Sequence, residues 1–198
     1  MFGLFAIGWA YQLIEQSPHG LLSFAVPTLC RHVTMAFIVA VVLTAVAIRW
    51  KDSPAAAAFA WLAVTGIALA VVDIEFQRLP HHLVGAMAIG GGVLLGVADL
   101  GALSRGLVAA LGIAGCWSLA RIVFLDGVGF GDVTLSGAVA LYLGWLGWQY
   151  LLLALLVTAL LAGALAGFLL VTRRAGPKDQ FAYGPVLVFS TLLVLVFP

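Results

Sequence analysis

The sequence predicts an all-α membrane protein, a bundle of seven to eight transmembrane helices forming one domain over residues 1–198, and composition is the first reason. Of 198 residues, 64% are hydrophobic and 9% are charged, whereas a soluble domain carries roughly 25% charged residues. The second reason is continuity. The apolar stretches run unbroken for most of their length, as spanning helices do because each satisfies its own backbone hydrogen bonds in lipid. A barrel would instead show strands of about ten residues in strict alternation.

Stretches approaching the ~20 apolar residues of a span fall near 33 to 49, 55 to 73, 83 to 98, 106 to 125, 133 to 148, 150 to 172 and 181 to 197. A shorter run at 2 to 14 reads as an eighth, leading into Ser17-Pro18-His19-Gly20. The connection at 15 to 32 contains Leu21-Leu22-Ser23-Phe24 and reads as interfacial, so no soluble domain is expected. The start, Met1-Phe2-Gly3-Leu4, lacks a basic region and an evident small-residue cleavage site, which argues against a removable signal peptide. Gly92 to Gly96 and Gly163 to Gly167 have the spacing of helix packing seams, and Gly90-Gly91-Gly92 would let one helix loosen locally.

The net charge is +1 with the basic residues scattered, which excludes a nucleic-acid surface. Cys30 and Cys116 form no CxxC pair, so neither a zinc knuckle nor a redox dithiol is written here, and Cys116 reads as a small packed hydrophobe. His81 and His82 read as solvated rim residues with no further ligands at metal spacing, so no metal and no cofactor are expected.

Two aspartates stand where apolar segments meet polar ones: Asp73 in Val72-Asp73-Ile74-Glu75, and Asp132 after Gly127, Gly129 and Gly131. Two predicted spans separate them, which returns both carboxylates to one face. On that face Arg31, Arg78, Arg121, Arg173, Arg174 and Lys178 outnumber Arg49, Lys51 and Arg105 on the other, so the aspartate side is expected to be cytoplasmic. Trp50, Trp145 and Trp148 would lie at the outer interface.

Asp73 reads as the end of its helix, with Pro80 seven residues later biasing Leu79 away from helical geometry. It could be a solvated helix end, as Glu75 could, but ionisable groups at hydrocarbon depth point to function. The glycines before Asp132 permit positive φ or close approach by another chain, as an extended bound peptide would require. The plainer alternative is a turn with Asp132 as N-cap of a helix starting at Val133. Asp126 reads as a loop charge. After two more spans, Phe181-Ala182-Tyr183-Gly184-Pro185 returns to the same face, where Gly-Pro would interrupt helical bonding.

Taken together, these segments resemble the prepilin peptidase family, the membrane aspartyl proteases of the GxGD type. The resemblance rests on Asp73 followed by Pro80, on Gly129-Phe130-Gly131-Asp132-Val133 and on Tyr183-Gly184-Pro185, in an order that covers about residues 55–198. It implies that Asp73 and Asp132 are a catalytic pair, with Gly129, Gly131, Pro80, Tyr183, Gly184 and Pro185 as substrate-binding or loop support. It also implies leader peptides of type IV prepilin-like precursors as substrates, cleaved at the cytoplasmic face of a bacterial-type inner membrane. Where many members carry a lysine two positions after the second aspartate, this chain has Thr134. It also lacks the paired-CxxC cytoplasmic domain of larger members, so their N-methyltransferase activity and zinc are not carried over.

Two carboxylates sharing a proton can hydrolyse an amide, one drawing a proton from water while the other serves as acid to the carbonyl oxygen and leaving amine. Two other readings stand beside this one. A proton-coupled transporter or channel could use the same aspartates as carriers, but would favour midplane acids, broken helices and internal repeats, and no repeat is visible. A noncatalytic pilus-assembly relative would keep the family pattern without the chemistry.

Overall fold

In the computed structural model, residues 28–76, 79–123, 129–172 and 183–197 are described. Among them are seven helices and no strand: α1 (Thr28–Trp50), α2 (Ala56–Phe76), α3 (His81–Ala98), α4 (Leu100–Val123), α5 (Phe130–Leu146), α6 (Trp148–Val171) and α7 (Gly184–Val196). Four, α2, α3, α4 and α6, are long and apolar enough to cross a membrane, and α1, α5 and α7 hold shorter apolar segments. The all-α membrane architecture is as predicted. The segment at 2 to 14 lies outside the described residues, as do Gln77, Arg78, Asp126, Gly127 and the basic residues Arg173, Arg174 and Lys178.

The bundle is built around α5. Every residue of α5 from Leu135 to Gly144 is buried, whereas α4 and α6 turn Leu111, Leu119 and Ile122, and Leu152, Leu160 and Val171, outward. In water such faces would be an aggregation hazard; in a bilayer they are the lipid-facing surface. The α4–α5 pair is packed through small residues. A methyl group on Gly106 would stand 2.6 Å from the Leu141 carbonyl oxygen, and one on Gly144 would collide with the Ala109 methyl. Backbones this close favour dispersion contacts, the main attraction available between helices in lipid.

The chain reverses at defined points. Asp99 ends α3 in an extended conformation, and its Oδ1 accepts from the Gly101 and Ala102 amides at 2.7 and 3.1 Å, capping α4. Gly147 ends α5 at φ 150°, a region that favours glycine. The end of the bundle remote from the aspartates is tied by side chains. Trp50 donates to the Leu195 carbonyl at 3.1 Å and Trp145 to that of Asp99 at 3.2 Å, with Phe59 between their rings at 4.6 and 6.0 Å. Arg105 donates to the Gly144 and Trp145 carbonyls, two of the acceptors that the end of α5 leaves open.

Several sequence expectations are corrected. Helix α2 continues through Phe76, so Asp73 lies one turn inside the helix and not at its end. Helix α5 starts at Phe130, with extended Gly129 (φ −65°, ψ 139°) as N-cap; Gly131 and Asp132 are therefore helical, and Asp132 is not the cap. No loosening occurs at Gly90-Gly91-Gly92, because α3 is continuous and Gly90 and Gly91 make room for the Trp61 and Tyr142 side chains. Gly92 and Gly96 do meet Leu141 and Leu103. Gly163 and Gly167 meet nothing among the described residues, so they form no seam there, and Cys116 is exposed on a lipid-facing helix.

Candidate active site

Three chain reversals on one face, α2 to α3, α4 to α5 and α6 to α7, bring the predicted residues together. Asp73 is 5% exposed. Its Oδ2 accepts a hydrogen bond from the backbone N–H of Gly184 at 3.0 Å, across 111 positions of sequence. A methyl group at residue 184 would stand 2.7 Å from that oxygen. Glycine is thus the residue that lets the start of α7 reach the carboxylate. Pro185 follows in the first turn of α7, where the amide that proline lacks would have no intrahelical partner.

Asp132 occupies the first turn of α5, where the helix dipole favours a negative charge. The Asp132 and Val133 amides donate to the Gly129 carbonyl at 3.1 and 3.4 Å, fixing the turn. Among the described residues no side chain or amide donates to the Asp132 carboxylate, but it lies within electrostatic reach of both Asp73 and Tyr183. Gly129 stands close against it, since a methyl there would lie 3.2 Å from Oδ2. The two carboxylates therefore differ: one is held by an amide donor, while the other sits in its first helical turn with no such donor among the described residues.

The remaining predicted residues act around this pair. A methyl on Gly131 would come within 2.8 Å of Leu79 Cβ, so the glycine lets α5 start against the α2–α3 turn. Pro80 closes that turn as N-cap of α3, its carbonyl accepting from the Leu83 and Val84 amides at 3.0 and 3.3 Å. Its contribution is to hold Leu79 in place. Thr134 turns its hydroxyl back to the Gly131 carbonyl at 2.9 Å. His81, exposed as expected, packs its ring 5.4 Å from that of Phe130.

Two features escaped the sequence reading. Trp117 of α4 places its ring 5.6 Å from that of Tyr183. Burial, together with the Asp132 charge, pushes the Tyr183 hydroxyl up to about 12, so the ring stands neutral beside the carboxylates. Ser136 lies one turn below Asp132 on α5, buried, its hydroxyl the side-chain atom left without a hydrogen bond among the described residues. No periodicity marks either residue, because each is defined by what another helix brings to it. No group of three or more His, Cys, Asp or Glu side chains suited to a metal forms among the described residues.

The model of the type IV leader peptidase family matches residues 60–167. The chain is 28% identical over 165 residues to a prepilin leader peptidase/N-methyltransferase of Aeromonas hydrophila, covering 78% of this chain and 55% of that protein. It is 30% identical over 140 residues to one of Aeromonas salmonicida, covering 66% and 46%, and 29% identical over 136 residues to one of Escherichia coli, covering 65% and 58%. It thus spans about half the length of the curated relatives it matches. No solved structure matches. With the family match extending over more than half the chain and enclosing both aspartates, the protein belongs to the type IV leader peptidase family.

Proposed function

We propose that this chain is an aspartyl endopeptidase that removes leader peptides from type IV prepilin-like precursors at the cytoplasmic face of the inner membrane, with Asp73 and Asp132 as its catalytic pair. The observation that carries this reading is the Gly184 amide on Asp73 Oδ2, which ties the third motif to the first while Asp132 faces both. One carboxylate takes a proton from water as the water oxygen attacks the scissile carbonyl carbon. The other hydrogen-bonds the carbonyl oxygen and then helps protonate the leaving amine as the C–N bond breaks. The amide hold on Asp73 fixes one partner, and the first turn of α5 positions the other.

Depth supports the same reading. The carboxylates lie within a turn of their helix ends on one face, the level at which a precursor with a membrane-embedded apolar helix and a basic leader would present the bond between them. A transporter would favour acids near the midplane. The peptidase-like core is read as about 55–198. Coexpression with candidate precursors, followed by mass measurement of the processed N-terminus, tests the proposal: loss of a leader peptide is expected with the native chain and not with Asp73→Asn. Intact precursor in both would overturn it.

A further inference from the structure

Helices α4 and α7 both flank α5 yet share no packed seam of their own. They meet beside the carboxylates through two rings, Trp117 and Tyr183, with centroids 5.6 Å apart and planes tilted by 58°. Tyr183 immediately precedes Gly184, the donor to Asp73, and lies within electrostatic reach of Asp132. Trp117 is half-buried, while Cys116, Ser118 and Leu119 beside it are exposed on the lipid-facing side of α4. The ring pair therefore stands between the candidate site and the lipid.

The indole N–H separates Trp117 from the tryptophans that hold the bundle together. Trp50, Trp61 and Trp145 each donate to a backbone carbonyl of another helix or its cap. Trp117 has no acceptor among the described residues. Trp148 also lacks one, but it is 50% exposed at the start of α6 on the remote face, where an indole meets the bilayer interface. Trp117 lies six residues before the end of α4, about 9 Å along the helix axis. The α4–α5 register, in which Gly137 meets Ala114 and Gly144 meets Ala109, sets Trp117 level with the first turn of α5 that carries Asp132, so its ring flanks the carboxylates where the apolar part of a bound precursor would meet them.

A substrate anchored in the bilayer must reach the carboxylates sideways, because its apolar helix cannot leave the lipid cheaply. Resting on the peptidase reading above, we propose that Trp117 is a substrate-positioning residue that forms with Tyr183 the lateral aromatic wall of the site, packing the first apolar turn of the precursor's helix. Its ring face supplies contact area and its indole N–H is available to a carbonyl oxygen of the precursor backbone. It takes no part in proton transfer.

The test uses the full chain in membranes and a precursor that retains its apolar helix. Trp117→Ala is expected to raise KM about tenfold with kcat held within about twofold, and Trp117→Phe to recover most of the loss. Trp148→Ala should leave both constants unchanged. A Trp117→Cys variant carrying Asp73→Asn, Cys30→Ser and Cys116→Ser should form a disulfide with a cysteine placed in the first apolar turn of the precursor, and Trp148→Cys in the same background should not. If Trp117→Ala fails to fold, Trp117→Leu, which keeps an apolar side chain without the ring and is expected to raise KM likewise, and the crosslink decide. Cleavage by the native chain with unchanged KM in Trp117→Ala or Trp117→Leu, or with kcat alone reduced and no crosslink, would overturn this inference and leave the peptidase reading standing. Absence of cleavage by the native chain on any precursor would overturn both.

Discussion

The backbone N–H of Gly184 donates to Oδ2 of Asp73 at 3.0 Å, joining the start of α7 to the last turn of α2. The glycine is required by space. A Cβ on residue 184 would stand 2.7 Å from that oxygen and 3.2 Å from Cγ, and either the helix or the carboxylate would have to move. Gly184→Ala is accordingly expected to lower kcat/KM for precursor cleavage by about tenfold or more with the protein still inserted. Gly163→Ala, at a position open to the surroundings, should remain within about twofold of the native rate. Cleavage rates at matched amounts of membrane-inserted protein make the comparison, and equal rates for the two variants would remove the argument for Gly184.

The aspartate pair is tested by charge without change of shape. Asp73→Asn and Asp132→Asn should each abolish precursor cleavage with insertion intact, while Glu75→Gln and Asp126→Asn retain appreciable activity. Full activity in either of the first two would end the assignment, since a two-carboxylate mechanism needs both groups.

Gly131 gives a prediction that distinguishes packing from access. The obstruction to a side chain there is Leu79 Cβ at 2.8 Å, with Cδ1 at 3.1 Å. Gly131→Ala and Gly131→Val should both impair cleavage. Leu79→Ala should not rescue Gly131→Ala, because alanine keeps the obstructing Cβ, whereas Leu79→Gly should restore part of the activity. Coupling of this kind is read from a double-mutant cycle in cleavage rate. Rescue by Leu79→Ala would show that the outer part of the leucine, and not its Cβ, sets the limit.

Tyr183 carries the pH dependence. Its hydroxyl is raised to about 12 by burial, with the Asp132 charge adding to it, from an ordinary value of about 10. Between those values the folded chain keeps a proton that the unfolded chain releases, so stability is intact below about pH 10 and falls as pH rises toward about 12. Tyr183→Phe should flatten that fall in thermal unfolding scans while keeping cleavage near the native level at neutral pH. A Tyr183→Phe protein that loses stability as steeply as the native one would place the alkaline sensitivity elsewhere.

Topology can be read directly by labelling. Single cysteines at Gln77, Gly127 and Lys178, in a chain with Cys30 and Cys116 replaced, should react from the cytoplasmic side, and those at Asp52 and Gly101 from outside. Opposite labelling of Gln77 and Gly127 would separate the two aspartates by the membrane.

Much of this arrangement could be read from the chain because lipid simplifies the code. Long apolar runs gave the helices, and an even number of crossings put Asp73, Asp132 and Gly184 on one face. What could not be read is what depends on a second helix. Gly131 looks like loop punctuation in sequence, yet it is helical and is kept small by Leu79. The spacing of Gly163 and Gly167 matches a seam, but the packed pair is α4 with α5, through Gly106, Ala109 and Gly144. Hydropathy is blind to the difference between an apolar face turned to lipid and one turned to a neighbour, so neither the buried axis at α5 nor the placement of Trp117 was visible.

The hydrogen bond between Gly184 and Asp73 also sets an order of events in biosynthesis. Asp73 leaves the ribosome 111 residues before its amide partner, so an emerging chain already holding both aspartates still lacks the donor that fixes the first of them. In the proposed peptidase the α7 segment would act as a safety catch: while the protein is only partly made and its neighbours in the membrane are other nascent helices, the acid pair would have no completed geometry with which to cut them.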